Sequence, residues 1–291
     1  MGAGVGMGHF VRMSALADAF ATHGGECVFF TGGDEPVNFS GFDIIVLDTY
    51  NICDEYISAL RTPGRILVCV DDNALYNYDC DVLLNYGLHA THLEFSFCGA
   101  PPHLLLGPKY ALLRSEFLET APIEVKQQAA NVFVCFGGAD VRDFTPVAIK
   151  ALASIPGVNL NVVLGAHTKC DAEVFAMQGE NIKVHKNPES VAKIMTACDI
   201  AVVSASTICY ELAALGIPSI VIPQADNQLE NAATLEKMGL MKNLCNKNLR
   251  QEAEALLNNY PRRKHEHKRL METVDPGGAL NAARKIMELR A

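Results

Sequence analysis

The chain lacks several things, and each absence removes a class of protein. No apolar run reaches the roughly 18–20 residues that a membrane-spanning helix needs, and no basic stretch leads into an apolar one as in a secretory leader. Cations are scarce: 24 Lys and Arg against 33 Asp and Glu give a net charge of −9. A nucleic-acid partner is therefore not expected, because phosphate backbones are held by clustered Lys and Arg. The ten cysteines include no C-x-x-C pair, so neither a zinc site nor a thioredoxin-type motif arises. Cys27, Cys69, Cys135 and Cys209 lie within apolar text, where a thiol serves as a small hydrophobe. Reduced thiols in a cytoplasm are the expectation.

What remains is a globular chain of 291 residues, 49% hydrophobic and 20% charged, long enough for two domains. Its opening is Gly4-Val5-Gly6-Met7-Gly8-His9-Phe10-Val11-Arg12, alternating glycines that run into a histidine and then into helical text over residues 12–23. In doubly wound folds such a turn follows a buried strand, yet only Met1 precedes Gly2, so the expectation is that the first strand is missing or the start site is placed late. Apolar runs at 27–31, 43–48, 65–72 and 82–85 read as parallel strands buried on both faces, with helical spacing over 53–60. The segment 115–130 is polar. After it the rhythm restarts, with strands at 131–136, 160–165, 182–185, 199–204 and 219–223. Helices are expected near 145–153, 188–197, 207–215, 227–238, 249–258 and 278–289. The reading is α/β: two Rossmann-like domains facing a cleft, at 1–115 and 131–291, joined by a linker at 116–130.

A histidine in a first helical turn faces the positive end of the helix dipole, which favours the uncharged imidazole and suits a base beside a phosphorylated substrate. On that pattern alone a histidine in a first helical turn is more often a capping or surface residue. Ser204-Ala205-Ser206-Thr207 ends a strand and opens a helix, with Glu211 one turn on. That is a diphosphate seat with an acceptor for ribose hydroxyls, or a simple N-cap by Ser206 or Thr207. Gly137-Gly138 makes a second such turn. Pro223-Gln224-Ala225-Asp226-Asn227-Gln228 packs amides that suit sugar hydroxyls and acetamido groups; capping by Asp226 or Asn227 is the alternative. Asp48-Thr49-Tyr50 and Asp71-Asp72 fall at strand ends, and adjacent Asp71 and Asp72 cannot both point inward. His89 and His92 lack a third metal ligand, so a polar loop is expected. The basic run 262–269 suits a solvated helical face. The opening glycines miss the strict G-x-G-x-x-G spacing, which argues against a nicotinamide cofactor.

Together these residues resemble a known family. Gly6-Met7-Gly8-His9 with Arg12, Asp48-Thr49-Tyr50, Val70-Asp71-Asp72, Cys80-Asp81-Val82-Leu83-Leu84-Asn85, Leu106-Gly107-Pro108-Lys109-Tyr110, Phe136-Gly137-Gly138-Ala139-Asp140, Ser204-Ala205-Ser206-Thr207 with Glu211, and Asn227-Gln228 carry the likeness. The chain resembles the hydrolases of pseudaminic acid biosynthesis that act on UDP-2,4-diacetamido-2,4,6-trideoxy-β-L-altropyranose, a family similar to the inverting GT-B glycosyltransferases. The resemblance implies inverting hydrolysis at the anomeric carbon without a metal or cofactor. His9 would activate the water, with Asp48, Tyr50 and Asp72 as further catalytic candidates. Gly8, Arg12, Gly137, Gly138, Ser206, Thr207, Glu211, Asn227 and Gln228 would bind the UDP-sugar. A monomer without a membrane span is expected. Two other readings stay open: a glycosyltransferase using the same base on an acceptor hydroxyl, and a nucleotide-sugar-binding protein without catalysis. Lipid-acceptor transferases usually expose an apolar or basic patch on the first half, and none is evident in the sequence.

Overall fold

The computed structural model describes residues 7–30, 38–49, 52–244 and 248–290. Its contacts divide the chain into two units, Met1–Ser115 with Asp275–Ala291, and Glu116–Val274.

The first unit opens on helix α1 (Met7–Thr22). Its buried side chains, Arg12, Ala15, Leu16, Ala19 and Phe20, recur at helical spacing and form one stripe. The helix therefore starts earlier than the 12–23 expected, and Gly8 and His9 lie in its first turn. Strand β1 (Ile44–Asp48), helix α2 (Asp54–Leu60), strands β2 (Ile66–Val70), β3 (Asn77–Tyr78), β4 (Val82–Asn85), β5 (Ser96–Phe97) and β6 (His103–Leu106) follow, and the short α3 (Ser115–Glu119) begins at the last residue of this stretch and runs into the second unit. A four-stranded parallel sheet runs in the order β1-β2-β4-β6, while β3 and β5 pair separately. Residues 27–30, expected as a strand, form none, and Thr31 lies outside the described residues. Val28, Phe29 and Phe30 are exposed; an apolar run becomes a buried strand only where a sheet offers it a neighbour.

In the second unit the strands are β7 (Asn131–Cys135), β8 (Asn159–Leu164), β9 (Ile182–Lys186), β10 (Ile200–Val203), β11 (Ser219–Val221) and β12 (Lys242–Asn243). The helices are α4 (Thr145–Ala153), α5 (Asp171–Ala176), α6 (Val191–Thr196), α7 (Ile208–Ala214), α8 (Leu229–Lys237), α9 (Leu249–Leu257) and α10 (Tyr260–Thr273). The six strands are parallel in the order β12-β11-β10-β7-β8-β9. Numbered within the unit this is the doubly wound order 3-2-1-4-5-6, which reverses direction between β7 and β10. Val132, Val134, Val162, Ile200 and Val202 fill the core beneath the helices.

The last helix, α11 (Gly278–Glu288), corrects the expectation that it belongs to the C-terminal domain. Ala279, Ala282, Ala283 and Ile286 make its buried stripe, and it packs on α1. A Cβ at Gly278 would lie 2.4 Å from the backbone nitrogen of Ala111, so only glycine allows the close approach. The segment 116–130 likewise belongs to the second unit. Arg263 of α10 is 1% exposed and donates from Nη2 to the carbonyls of Lys126 (2.9 Å) and Gln127 (3.1 Å), which ties that segment down.

Candidate functional site

In the first unit four predicted residues come together. Asp48 ends β1, and Asp71 and Asp72 follow β2, so all stand at the carboxyl ends of adjacent parallel strands, where ligands of open α/β sheets bind. His9 and Arg12, three apart on α1, reach them from one helix face. Arg12 donates from Nε to Asp48 Oδ2 (2.7 Å), from Nη2 to Asp48 Oδ1 (2.5 Å) and from Nη1 to Asp72 Oδ2 (2.7 Å). His9 Nδ1 lies 2.7 Å from Asp48 Oδ1. An ionised carboxylate only accepts, so Nδ1 carries the hydrogen and a neutral ring keeps its lone pair on Nε2. Arg12 Nη2, 3.2 Å from the same Nδ1, is then a donor facing a donor.

The electrostatics follow from burial and pairing. Burial would raise the Asp48 carboxyl, but hydrogen bonds from Arg12 and His9 outweigh it and hold the group below the usual carboxylate range. Burial would likewise lower Arg12; Tyr86, Asp48 and Asp72 together leave it raised. Asp71 differs from its neighbour. Its Oδ2 accepts the backbone N–H groups of Asn73 (2.9 Å) and Ala74 (2.6 Å), so it shapes the loop after β2. Burial raises its pKa.

Tyr86, which follows β4, joins this cluster and carries no sequence signal beyond its place at a strand end. Tyr50 lies outside the described residues. Gly8 sits in the first turn of α1, and a Cβ there would meet nothing within 4 Å. His89 and His92 flank a 3-10 turn, and among the described residues no group of three or more His, Cys, Asp or Glu is placed to hold a metal.

In the second unit the turns after β7 and β10 flank the point where strand order reverses. Gly137 has φ of +84°, and a Cβ on it would lie 3.7 Å from Ser204 Oγ. Ser204 Oγ is 3.0 Å from Ser206 Oγ. The turn after β8 presses in as well, since a Cβ on Gly165 would sit 2.4 Å from Gly138 Cα. Thr207 occupies the N-cap position of α7 without a side-chain capping bond. Glu211 is buried in the first turn of that helix. Asn231, unmarked in the sequence, donates from Nδ2 to the Ala205 carbonyl (3.0 Å) and accepts from Tyr210 (3.3 Å). Gln228 Oε1 accepts the Gln224 N–H at 2.9 Å, so its amide shapes its own loop, whereas Asn227 is exposed. Asp140 caps α4 through Phe144 and Thr145.

A parallel sheet of order 3-2-1-4-5-6 with glycine and serine turns at its switch point defines a doubly wound α/β unit, here with a second Rossmann-like unit. The chain belongs to the family defined by the glycosyltransferase family 28 C-terminal domain, which matches residues 131–288. MurG of Acinetobacter baumannii superposes with a TM-score of 0.57 at 16% identity, covering 96% of this chain and 78% of its own, so the fold is GT-B-like. A Methanocaldococcus jannaschii protein described as uncharacterized is 26% identical over 78% of this chain. The chain spans 54%, about half, of that relative's length. The UDP-2,4-diacetamido-2,4,6-trideoxy-beta-L-altropyranose hydrolase of Campylobacter jejuni is 27% identical over 68% of this chain and 72% of its own.

Proposed function

We propose that the chain is an inverting nucleotide-sugar hydrolase that releases UDP from a UDP-linked 2,4-diacetamido-2,4,6-trideoxy sugar for pseudaminic acid biosynthesis. The observation that carries this reading is the 2.7 Å contact between His9 Nδ1 and the buried Asp48 carboxylate. It orients a base in the manner of a serine-hydrolase triad. His9 Nε2 takes a proton from water, and the water oxygen bonds to the anomeric carbon opposite the leaving group. The bond from that carbon to the diphosphate oxygen breaks, and UDP leaves. Asp48 stabilises the imidazolium; Arg12 holds Asp48, and Asp72 holds Arg12.

The second unit supplies the nucleotide site. N–H groups at Gly137, Gly138, Ser206 and Thr207 take up the charge developing on the diphosphate. Glu211 accepts ribose hydroxyls, and Asn227, together with the Nε2 hydrogens of Gln228 that its loop bond leaves over, reads the sugar's amides. In this scheme no metal is required, because an imidazole makes the nucleophile and N–H groups receive the charge. The protein acts as a cytoplasmic monomer. The name of the Campylobacter jejuni relative supports this substrate.

One observation favours a second reading, a glycosyltransferase with an apolar acceptor. Phe10, Val28, Phe29 and Phe30 are 37%, 61%, 45% and 52% exposed. Phe10 follows His9 directly and packs on Phe29 with ring centroids 5.8 Å apart. This corrects the expectation that the first half exposes no apolar patch. Incubation with the UDP-diacetamido sugar alone separates the two. The hydrolase releases UDP and the inverted free sugar without an acceptor; a transferase leaves the donor intact.

A further inference from the structure

A peptide group is planar and trans, so its C=O and its N–H point in opposite directions. Whatever holds the carbonyl of Ala205 therefore also aims the N–H of Ser206. That carbonyl is held from elsewhere in the fold: Asn231, 26 residues further on in α8, donates to it from Nδ2 at 3.0 Å. The amide has one orientation, because its Oδ1 accepts the hydroxyl of the buried Tyr210 at 3.3 Å. The next peptide group is set locally instead. There the Ser206 carbonyl accepts the Cys209 N–H at 3.1 Å, and this aims the Thr207 N–H.

We propose that Asn231 is a positioning residue which, by holding the Ala205 carbonyl, presents the Ser206 N–H to the diphosphate of the nucleotide. This rests on the reading of the turn after β10 as the diphosphate seat. Asn231 acts through the backbone and touches no reacting atom. It stands in the first turn of α8, directly after the 224–228 loop, so one side chain ties the turn that takes the diphosphate to the loop that reads the sugar.

The test compares UDP with uridine, which share base and ribose and differ in the diphosphate. Asn231→Leu keeps the size of the side chain and removes both hydrogen bonds without adding charge. Its affinity for UDP should fall about tenfold, the scale of one lost hydrogen bond to a charged group, while its affinity for uridine changes less than about twofold. A general loosening of the second unit would weaken both ligands alike. A folded Asn231→Leu that keeps the wild-type preference for UDP over uridine, or that loses both affinities equally, would overturn the proposal. If the leucine does not fit, Asn231→Ala decides by the same pair of affinities.

The Ser206 amide gives a second readout, observed in protein labelled with ¹⁵N-serine and assigned by its loss in Ser206→Ala. In wild type UDP should shift this signal and uridine should not; in Asn231→Leu the shift with UDP should shrink. A wild-type signal that UDP leaves unmoved would overturn the proposal without any variant at position 231. Failure of the hydrolase reading looks different. A wild type that prefers UDP to uridine yet releases no UDP from the UDP-sugar loses the reaction and keeps the role of Asn231. A wild type that binds UDP no better than uridine loses the seat, and the role of Asn231 with it.

Discussion

His9 Nδ1 and Asp48 Oδ1 lie 2.7 Å apart, although 39 residues separate them in the chain. Asp48 is also held by two bonds from Arg12, one to each oxygen, so the carboxylate, the guanidinium and the imidazole form one unit. Replacing Asp48 by Asn keeps the shape but puts a donor amide into a site built for an acceptor. UDP release in Asp48→Asn should fall by about 10⁴-fold, the loss that a wrong tautomer causes in a triad. UDP affinity in a calorimeter should stay within about threefold, because the turns proposed to bind the nucleotide lie in the second unit. A variant with near-normal turnover would show that the carboxylate is not needed to orient the base.

The same carboxylate gives a pH dependence whose sign is fixed. Its folded pKa is lowered, so its contribution to stability is present above the unfolded value of about 3.9 and is lost as pH falls through the folded value. Melting temperature followed from about pH 6 to about pH 2 should therefore drop in wild type. The drop should be shallower in Asp48→Asn. Parallel curves would contradict the assigned direction.

Asp71 carries the opposite shift, raised by burial, and its two bonds come from backbone N–H groups that an amide oxygen can also accept. This contrast shows what the sequence could and could not reveal. The ends of β1 and β2 were legible because Ile44–Asp48 and Ile66–Val70 are continuous apolar runs that stop at acids. That Asp72 rather than Asp71 meets Arg12 was foreshadowed only by strand alternation. Tyr86 and Asn231 were invisible, since a buried tyrosine and a helical asparagine read as core and surface until their partners are known. Of the strand expected at 27–31, the described residues 27–30 form none, because apolar text sets a propensity and pairing decides whether it is used. The last helix was misassigned because periodicity shows which face is buried but not against what.

Gly165 tests the nucleotide site through a residue that contacts no proposed ligand. A methyl group there would collide with backbone, Gly138 Cα at 2.4 Å and Gly138 O at 2.6 Å, so the Gly137-Gly138 turn has to move. Gly165→Ala should weaken UDP binding at least about tenfold, equivalent to about 1.4 kcal/mol. Unchanged UDP affinity in a folded Gly165→Ala would show that the turn does not touch the nucleotide.

Arg263 tests the second unit's frame. Buried in α10, it donates to the carbonyls of Leu256 (2.9 Å) and Leu257 at the end of α9, and to Lys126 and Gln127. Arg263→Met leaves those acceptors without their donor, and stability should fall by about 2–4 kcal/mol. Denaturant unfolding measures it; a loss under about 0.5 kcal/mol, the range of neutral surface changes, would mean that other groups hold the segment.

The most direct measurement follows UDP and the anomeric form of the freed sugar when purified protein meets the UDP-linked diacetamido sugar without an acceptor, in wild type and His9→Ala. The account predicts UDP release with inversion in wild type, slowed at least about 100-fold in His9→Ala, the scale of a lost general base, while UDP binds both proteins equally. Undiminished turnover in His9→Ala, retention at the anomeric carbon, or an intact donor in wild type would contradict it.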